Sequence, residues 1–321
     1  MEFGVHLLRP GSAEQAAMLA AAGPLRISVH LPWRWAERPR GSWDLSSIDH
    51  FLAPLREAGL PLQGILGPAM PHLLPEFALR DGGADGDGFV AAFAEHCAEY
   101  ARRCPDITVF RVEDELNGAW AWDQLRTRRR RGERWRDPGF RADLLAAATS
   151  AVRAARPDAE LRVTVFAGVP GWRRALRRWA SAGVTADRVG LTLQPTMFLP
   201  DPRQAARVGE AVEQARAAVS GWAGSPGVEV SRLGFATASE RYSPRKQREF
   251  LVRAAESASE AGSLGLHWWA LRDQAHDDPM LAYWSPSRER HMGLLYYDGL
   301  PKAAMEELRV LATGHRFGAA G

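Results

Sequence analysis

At 321 residues the chain is long enough for one closed (β/α)₈ barrel or for two ordinary domains. Hydrophobic residues make up 46% and charged residues 25%, a globular balance that excludes a largely disordered chain. The 41 basic residues nearly balance the 38 acidic ones and are mixed with them outside one arginine run, so no basic face for nucleic acid is demanded.

The elements alternate from the start. A strand over residues 3–7 leads to a helix over 12–22, where Ser12 and Gln15 stand at capping-box spacing. Residues 24–31 form the second strand, carrying Arg26 and His30, and Pro32-Trp33-Arg34-Trp35 opens the loop to Gly41-Ser42-Trp43-Asp44. A helix over 46–58 stops at Gly59. A third strand over 60–66 ends in a proline-rich turn, and a polar, glycine-rich span over 81–88 enters a helix over 89–104. Cys97 and Cys104 on that helix are about 10 Å apart at 1.5 Å rise per residue, too far for a disulfide.

The fourth strand, an apolar β-branched run from Ile107, ends in Glu113-Asp114-Glu115 and continues Leu116-Asn117. Three carboxylates have no place inside a sheet buried on both faces, so they belong at its mouth, as a site or as a solvated strand end. An arginine-rich loop over about 118–137 follows, either a solvated loop or an anion or nucleic-acid patch, which by its place after strand four would be a substrate lid. Beyond it, helices over 143–156, 172–182, 210–219 and 244–261 alternate with strands over 161–166, 188–193, 228–233 and 264–271, and Pro301-Lys302-Ala303 opens a last helix. Such alternation argues a single-domain α/β (β/α)₈ TIM barrel over 1–321, with its site at the C-terminal ends of the strands. No strand is followed by Gly-x-Gly-x-x-Gly or a phosphate loop, and His276-Asp277-Asp278 with His291 match no catalytic-metal spacing, so neither cofactor nor metal is expected. No run reaches the roughly 18 apolar residues of a membrane span, and no signal-like segment is visible. The expectation is a cytoplasmic protein with no membrane partner.

Asp114-Glu115-Leu116-Asn117 resembles the Asn-Glu-Pro-Asn that closes the fourth strand of the clan A glycoside hydrolase barrels, the β-xylosidase and cellulase superfamily. Arg26, Trp33 and Gly41-Ser42-Trp43-Asp44 follow the same family in order, and His267-Trp268-Trp269 through Gly293-Leu294 to Pro301-Lys302-Ala303 resembles its C-terminal signature. The resemblance spans essentially the whole chain. It implies a small-molecule sugar substrate, Glu115 as general acid/base, and Arg26, His30, Trp33, Asp114, Gln194, Glu240, Trp269 and Asp273 around the substrate. Trp269 would stack on a sugar face or fill the barrel. Arg26, Glu115, Arg232 and Trp269 are all expected at the C-terminal mouth.

Strand seven departs from the family. Where the family has its nucleophilic Glu, this chain has Arg232 in Val230-Ser231-Arg232-Leu233-Gly234-Phe235, and Glu229, three residues earlier, would face the other side of an unbroken strand. Gln194-Pro195-Thr196 replaces the His-x-Tyr of strand six, and Asp114 the Asn before the acid. Retention needs two carboxyl groups about 5–5.5 Å apart, and a guanidinium is no nucleophile. Glu115 and Arg232 are therefore the expected catalytic pair, with Arg232 keeping its fork for an anionic group and the reaction diverted to elimination, epimerisation or cyclisation. The alternatives are inverting hydrolysis using another acid, such as Glu240, Asp273 or Asp277, and sugar binding without turnover.

Overall fold

The structure, a computed structural model, describes residues 1–8, 12–67, 74–80, 87–113, 115–118, 133–196, 201–238, 242–275 and 289–314. Eight strands run parallel in chain order: Glu2–Leu7 (β1), Leu25–His30 (β2), Leu62–Leu66 (β3), Val109–Val112 (β4), Glu160–Phe166 (β5), Arg188–Leu193 (β6), Gly227–Leu233 (β7) and Gly265–Trp268 (β8). The sheet closes where β1 pairs with β8, Glu2 opposite Gly265. Around it lie Ala13–Ala21 (α1), Ser46–Glu57 (α2), Asp87–Arg103 (α3), Pro138–Ala155 (α4), Trp172–Ser181 (α5), Ala206–Val219 (α6), Pro244–Glu260 (α7) and Ala303–Ala312 (α8). This is the (β/α)₈ barrel that the alternation predicts.

Local chemistry sets the boundaries. Ser12 Oγ accepts from Gln15 N and the Gln15 side chain accepts from Ser12 N, the capping box read from the sequence. Helix α4 begins before its apolar pattern does, because Asp137 accepts from Gly139 N and Pro138 supplies a first turn that needs no N–H. Strand residues such as Val5, Ile27, Val163, Leu191 and Leu266 are fully buried in the core with Leu19, Leu52, Phe93 and Leu251 from the helices. Each such side chain stabilises the fold by roughly 1.5–3 kcal/mol. Cys97 and Cys104 are both buried and free. No helix among the described residues is long and apolar enough to cross a membrane.

The barrel interior is polar, unlike the branched apolar layers usual in this architecture. At its N-terminal end Arg162 donates to Glu229 Oε2 at 2.8 Å, to Glu2 Oε1 at 2.9 Å and to Glu160 Oε1 at 2.7 Å. Arg188 reaches Glu160 at 2.8 Å, and Arg26 donates to Glu2 Oε2 at 2.9 Å. Three guanidinium groups thus meet three carboxylates, which makes burial of the set tolerable. His267 joins them beside Ser28, and Gly4 leaves the room: a Cβ there would lie 2.4 Å from His267 Nδ1. Glu2, Glu229 and His267 offer ligand atoms within 4.8 Å of one another. Arg162 Nη1, 2.8 Å from Glu229 and 3.4 Å from His267 Nε2, already stands among them.

Arg26 is therefore corrected. It is the second residue of β2, bound to the first residue of β1, and so lies at the end of the barrel opposite the mouth.

Three imidazoles are enclosed among the described residues. His96 on α3 is stacked by Trp33 at 4.5 Å and Trp43 at 5.6 Å, with neither ring nitrogen hydrogen-bonded among the described residues. Burial pushes His6, His96 and His267 below the ordinary histidine range, the hydrogen bond with Glu2 partly opposing this at His267. Such a group takes a proton more readily when unfolded, so stability is full above about pH 6.5 and is lost as the pH falls below it, by up to about 1.4 kcal/mol per pH unit for each ring. Urea unfolding midpoints should drop between pH 7 and 5.5, and His96→Phe, which keeps the stack, should flatten that dependence. An unaltered slope in the variant would assign the acid sensitivity to other groups.

Candidate active site

At the end of β4 the backbone turns sharply. Glu113 has φ 65° and Glu115 φ 61°, left-handed conformations that cost of order 1–3 kcal/mol each for residues with a Cβ and that gather at functional sites. β5 holds the turn in place. Thr164 Oγ1 donates to Glu113 O at 3.0 Å and accepts from Glu115 N at 3.4 Å, while Asn117 exchanges two hydrogen bonds with the Phe166 backbone at 2.7 and 3.0 Å. Asn117 thus imitates a continued strand pair, and the four-residue motif fixes Glu115 in the mouth.

On β7, Val230 pairs with Leu191 and Arg232 with Thr192, so Ser231 is an extra residue with no partner on β6. This bulge breaks the alternation. Glu229 and Arg232 both face the interior, whereas an unbroken strand would separate them. The expectation that Glu229 faces away is corrected; it stays clear of the mouth because it lies lower, bound to Arg162 and Arg188.

Arg232, 1% exposed, is the centre of the mouth. Its Nη1 donates to Glu115 Oε1 at 3.1 Å and its Nη2 to Glu289 Oε1 at 2.6 Å. The guanidinium lies over the Trp269 ring, 3.5 Å from its centroid, and His6 and His30 meet the same indole at 5.1 and 6.3 Å. The contact brings together the expected pair, Glu115 and Arg232. The fork expected to be kept for an anionic substrate is occupied: both terminal nitrogens already hold carboxylates, and with both ionised the triad carries a net charge of −1.

Glu289, 4% exposed, comes from a single 3₁₀ turn, Glu289–His291, after β8. Sequence reasoning missed it, because an acid between two arginines has no periodicity or motif to mark it. Backbone bonds tie the turn to both neighbouring loops: Gln274 N donates to Arg290 O and Thr237 N to His291 O, each at 2.9 Å. Gln194 Nε2 donates to Glu289 Oε1 at 3.0 Å.

The expected residues therefore divide. Glu115, Arg232, His30, Gln194 and Trp269 meet at the mouth. Trp33 does not: its Nε1 donates to Glu37 at 2.7 Å and its ring packs on His96, Phe89 and Phe93 in the helix layer. Gly41 N also donates to Glu37, so the Gly-x-Trp-Asp turn here serves packing. Asp273 is committed as well, accepting from Lys302 Nζ at 2.7 Å and Gly293 N at 2.9 Å, and Lys302 also reaches His291 O, so the pair braces the Glu289 turn. Asp114, Glu240, Asp277 and residues 119–132 of the arginine-rich loop lie outside the described residues.

No family profile and no curated protein matches the chain. Among solved structures, an exo-β-1,4-mannosidase, Op5Man5, from Opitutaceae bacterium strain TAV5 matches with a TM-score of 0.71 and 17% identity, covering 98% of this chain and 59% of that one. A family 39 glycoside hydrolase from Bacteroides cellulosilyticus WH2 matches at 0.71 and 16%, covering 97% and 63%. GH5_18 from Streptomyces cattleya, in complex with GlcNAc, matches at 0.76 and 16%, covering 100% and 81%. The chain thus spans less than two thirds of the first two proteins, and at these identities the likeness establishes the fold alone, a (β/α)₈ barrel like those of these glycoside hydrolases.

Arg232→Met would leave two buried carboxylates facing each other with no cation between them. The variant should lose roughly 3–5 kcal/mol in urea unfolding, and adding Glu115→Gln with Glu289→Gln should recover most of it. A triple variant as unstable as the single one would show that Arg232 acts through packing alone.

Proposed function

We propose that this barrel acts on a glycoside or sugar-like molecule in its C-terminal mouth, with Glu115 as the proton-transfer residue and without a covalent intermediate on β7. The observation that carries this reading is the 3.1 Å contact from Arg232 Nη1 to Glu115 Oε1, where a retaining enzyme would set a second carboxyl group. A guanidinium stays protonated and offers no lone pair to an anomeric carbon. Glu115, whose Oε1 accepts from Arg232, gives or takes the proton through its carboxyl group. Elimination, epimerisation or cyclisation would need a cation available to a developing anion. Because Arg232 is already shared by two glutamates, direct proton transfer to a leaving oxygen is favoured over these.

One observation favours a second reading, sugar binding without turnover: the guanidinium covers the Trp269 face on which a sugar would stack. Turnover separates the two.

The neighbouring structures hold GlcNAc and Manβ1-4GlcNAc, so aryl β-mannosides and β-N-acetylglucosaminides are the first probes. Turnover should fall by about 10²–10⁴-fold in Glu115→Gln with ligand affinity by calorimetry little changed. Intact-mass measurement after treatment with a 2-fluoro glycoside should find no adduct. Stoichiometric labelling would reveal a nucleophile and refute the non-covalent route, and binding without any turnover would establish the second reading.

A further inference from the structure

We propose that Glu289 is the second catalytic carboxylate of the site, the group that activates the attacking water; this rests on the sugar-processing reading given above. Three observations converge on it. Glu289 is buried in the mouth, and its Oε1 accepts from both Arg232 at 2.6 Å and Gln194 at 3.0 Å, so its orientation is fixed. No described residue donates to its Oε2, which leaves that oxygen for a water. The backbone that carries it is stitched to Gln274 and Thr237 and braced by Asp273 and Lys302, the rigidity that a placed base requires.

The spacing follows from the same contacts. Glu115 and Glu289 are bound to different terminal nitrogens of one guanidinium, so their bonded oxygens are separated by no more than that group and two hydrogen bonds of 3.1 and 2.6 Å. Arg232 acts as a spacer. The upper limit of that span reaches into the ~6.5–9.5 Å gap that admits a water. One proton shared between the two glutamates brings the triad to neutrality, the state in which one group is acid and the other base.

The step balances from there. Glu289 Oε2 takes a proton from water as the water oxygen bonds to the anomeric carbon. The bond to the leaving oxygen breaks, and the Glu115 carboxyl supplies that oxygen's proton. Exchange with solvent then returns a proton to Glu115 and removes one from Glu289. The anomeric configuration inverts.

Proton NMR of the first hemiacetal released from an aryl β-glycoside should therefore show the α anomer. Glu289→Gln, which keeps an acceptor oxygen for Arg232 and Gln194, should lower turnover by about 10²–10⁴-fold. Glu289→Ala should regain turnover with azide and yield the α-glycosyl azide, a product that a merely structural role would not give. A β hemiacetal, or Glu289→Gln within about threefold of wild type while Glu115→Gln is inactive, would overturn the assignment of Glu289 alone. Wild-type rates in both variants, or no turnover by the wild type on any probe, would overturn the sugar-processing reading together with it.

Discussion

A guanidinium shared between two buried glutamates governs what the mouth of this barrel can be. Removing three charges from water is costly, and breaking such a set by deleting one member costs about 3–5 kcal/mol. Its geometry therefore has to be complete. Arg232 meets Glu115 and Glu289 through separate nitrogens and covers Trp269 with its face, a contact worth about 0.5–2 kcal/mol. Much of the surrounding structure holds the partners: Asn117 and Thr164 on the Glu115 side, Gln194 and the Asp273–Lys302 brace on the other.

The two ends of the barrel use charge differently. At the N-terminal end three arginines meet three glutamates, and burial of Glu2 is outweighed by His267, Arg162 and Arg26, which hold its carboxyl well below the usual range. That set is balanced and closed. At the C-terminal end one arginine serves two glutamates, leaving an excess carboxylate charge beside a histidine and an indole. β7 contributes to both ends through Glu229 and Arg232, so a single strand carries an anion for the closed network and a cation for the one at the mouth.

The fold was legible because its signals are local. Strand runs of apolar, β-branched residues, a capping box at Ser12 and helix stops at glycines mark eight strands and their helices without tertiary information. Glu115 and Trp269 were legible because motif and strand end coincide. Glu289 was not, since its place depends on a turn pinned by Gln274 and Thr237 that no spacing encodes. Arg26 and Trp33 were assigned to the site by order of motif alone. Order says which strand a residue is on; height along the strand and the side it faces decide whether it reaches substrate.

The bulge at Ser231 makes the length of β7 matter more than its composition. Were all the residues of β7 kept but the bulge flattened into strict alternation, Arg232 would turn into the apolar layer beneath the helices, where a guanidinium has no counter-ion, while Glu229 kept its place below. Point changes on the strand can be absorbed by rotamers and neighbours, whereas loss of one paired residue with the bulge retained reverses inside and outside for everything above it. The unpaired residue thus works as a clutch between the two halves of the strand. It lets the lower half stay committed to holding the barrel shut while the upper half is open to chemical diversification, provided the reading frame of inward and outward positions is kept.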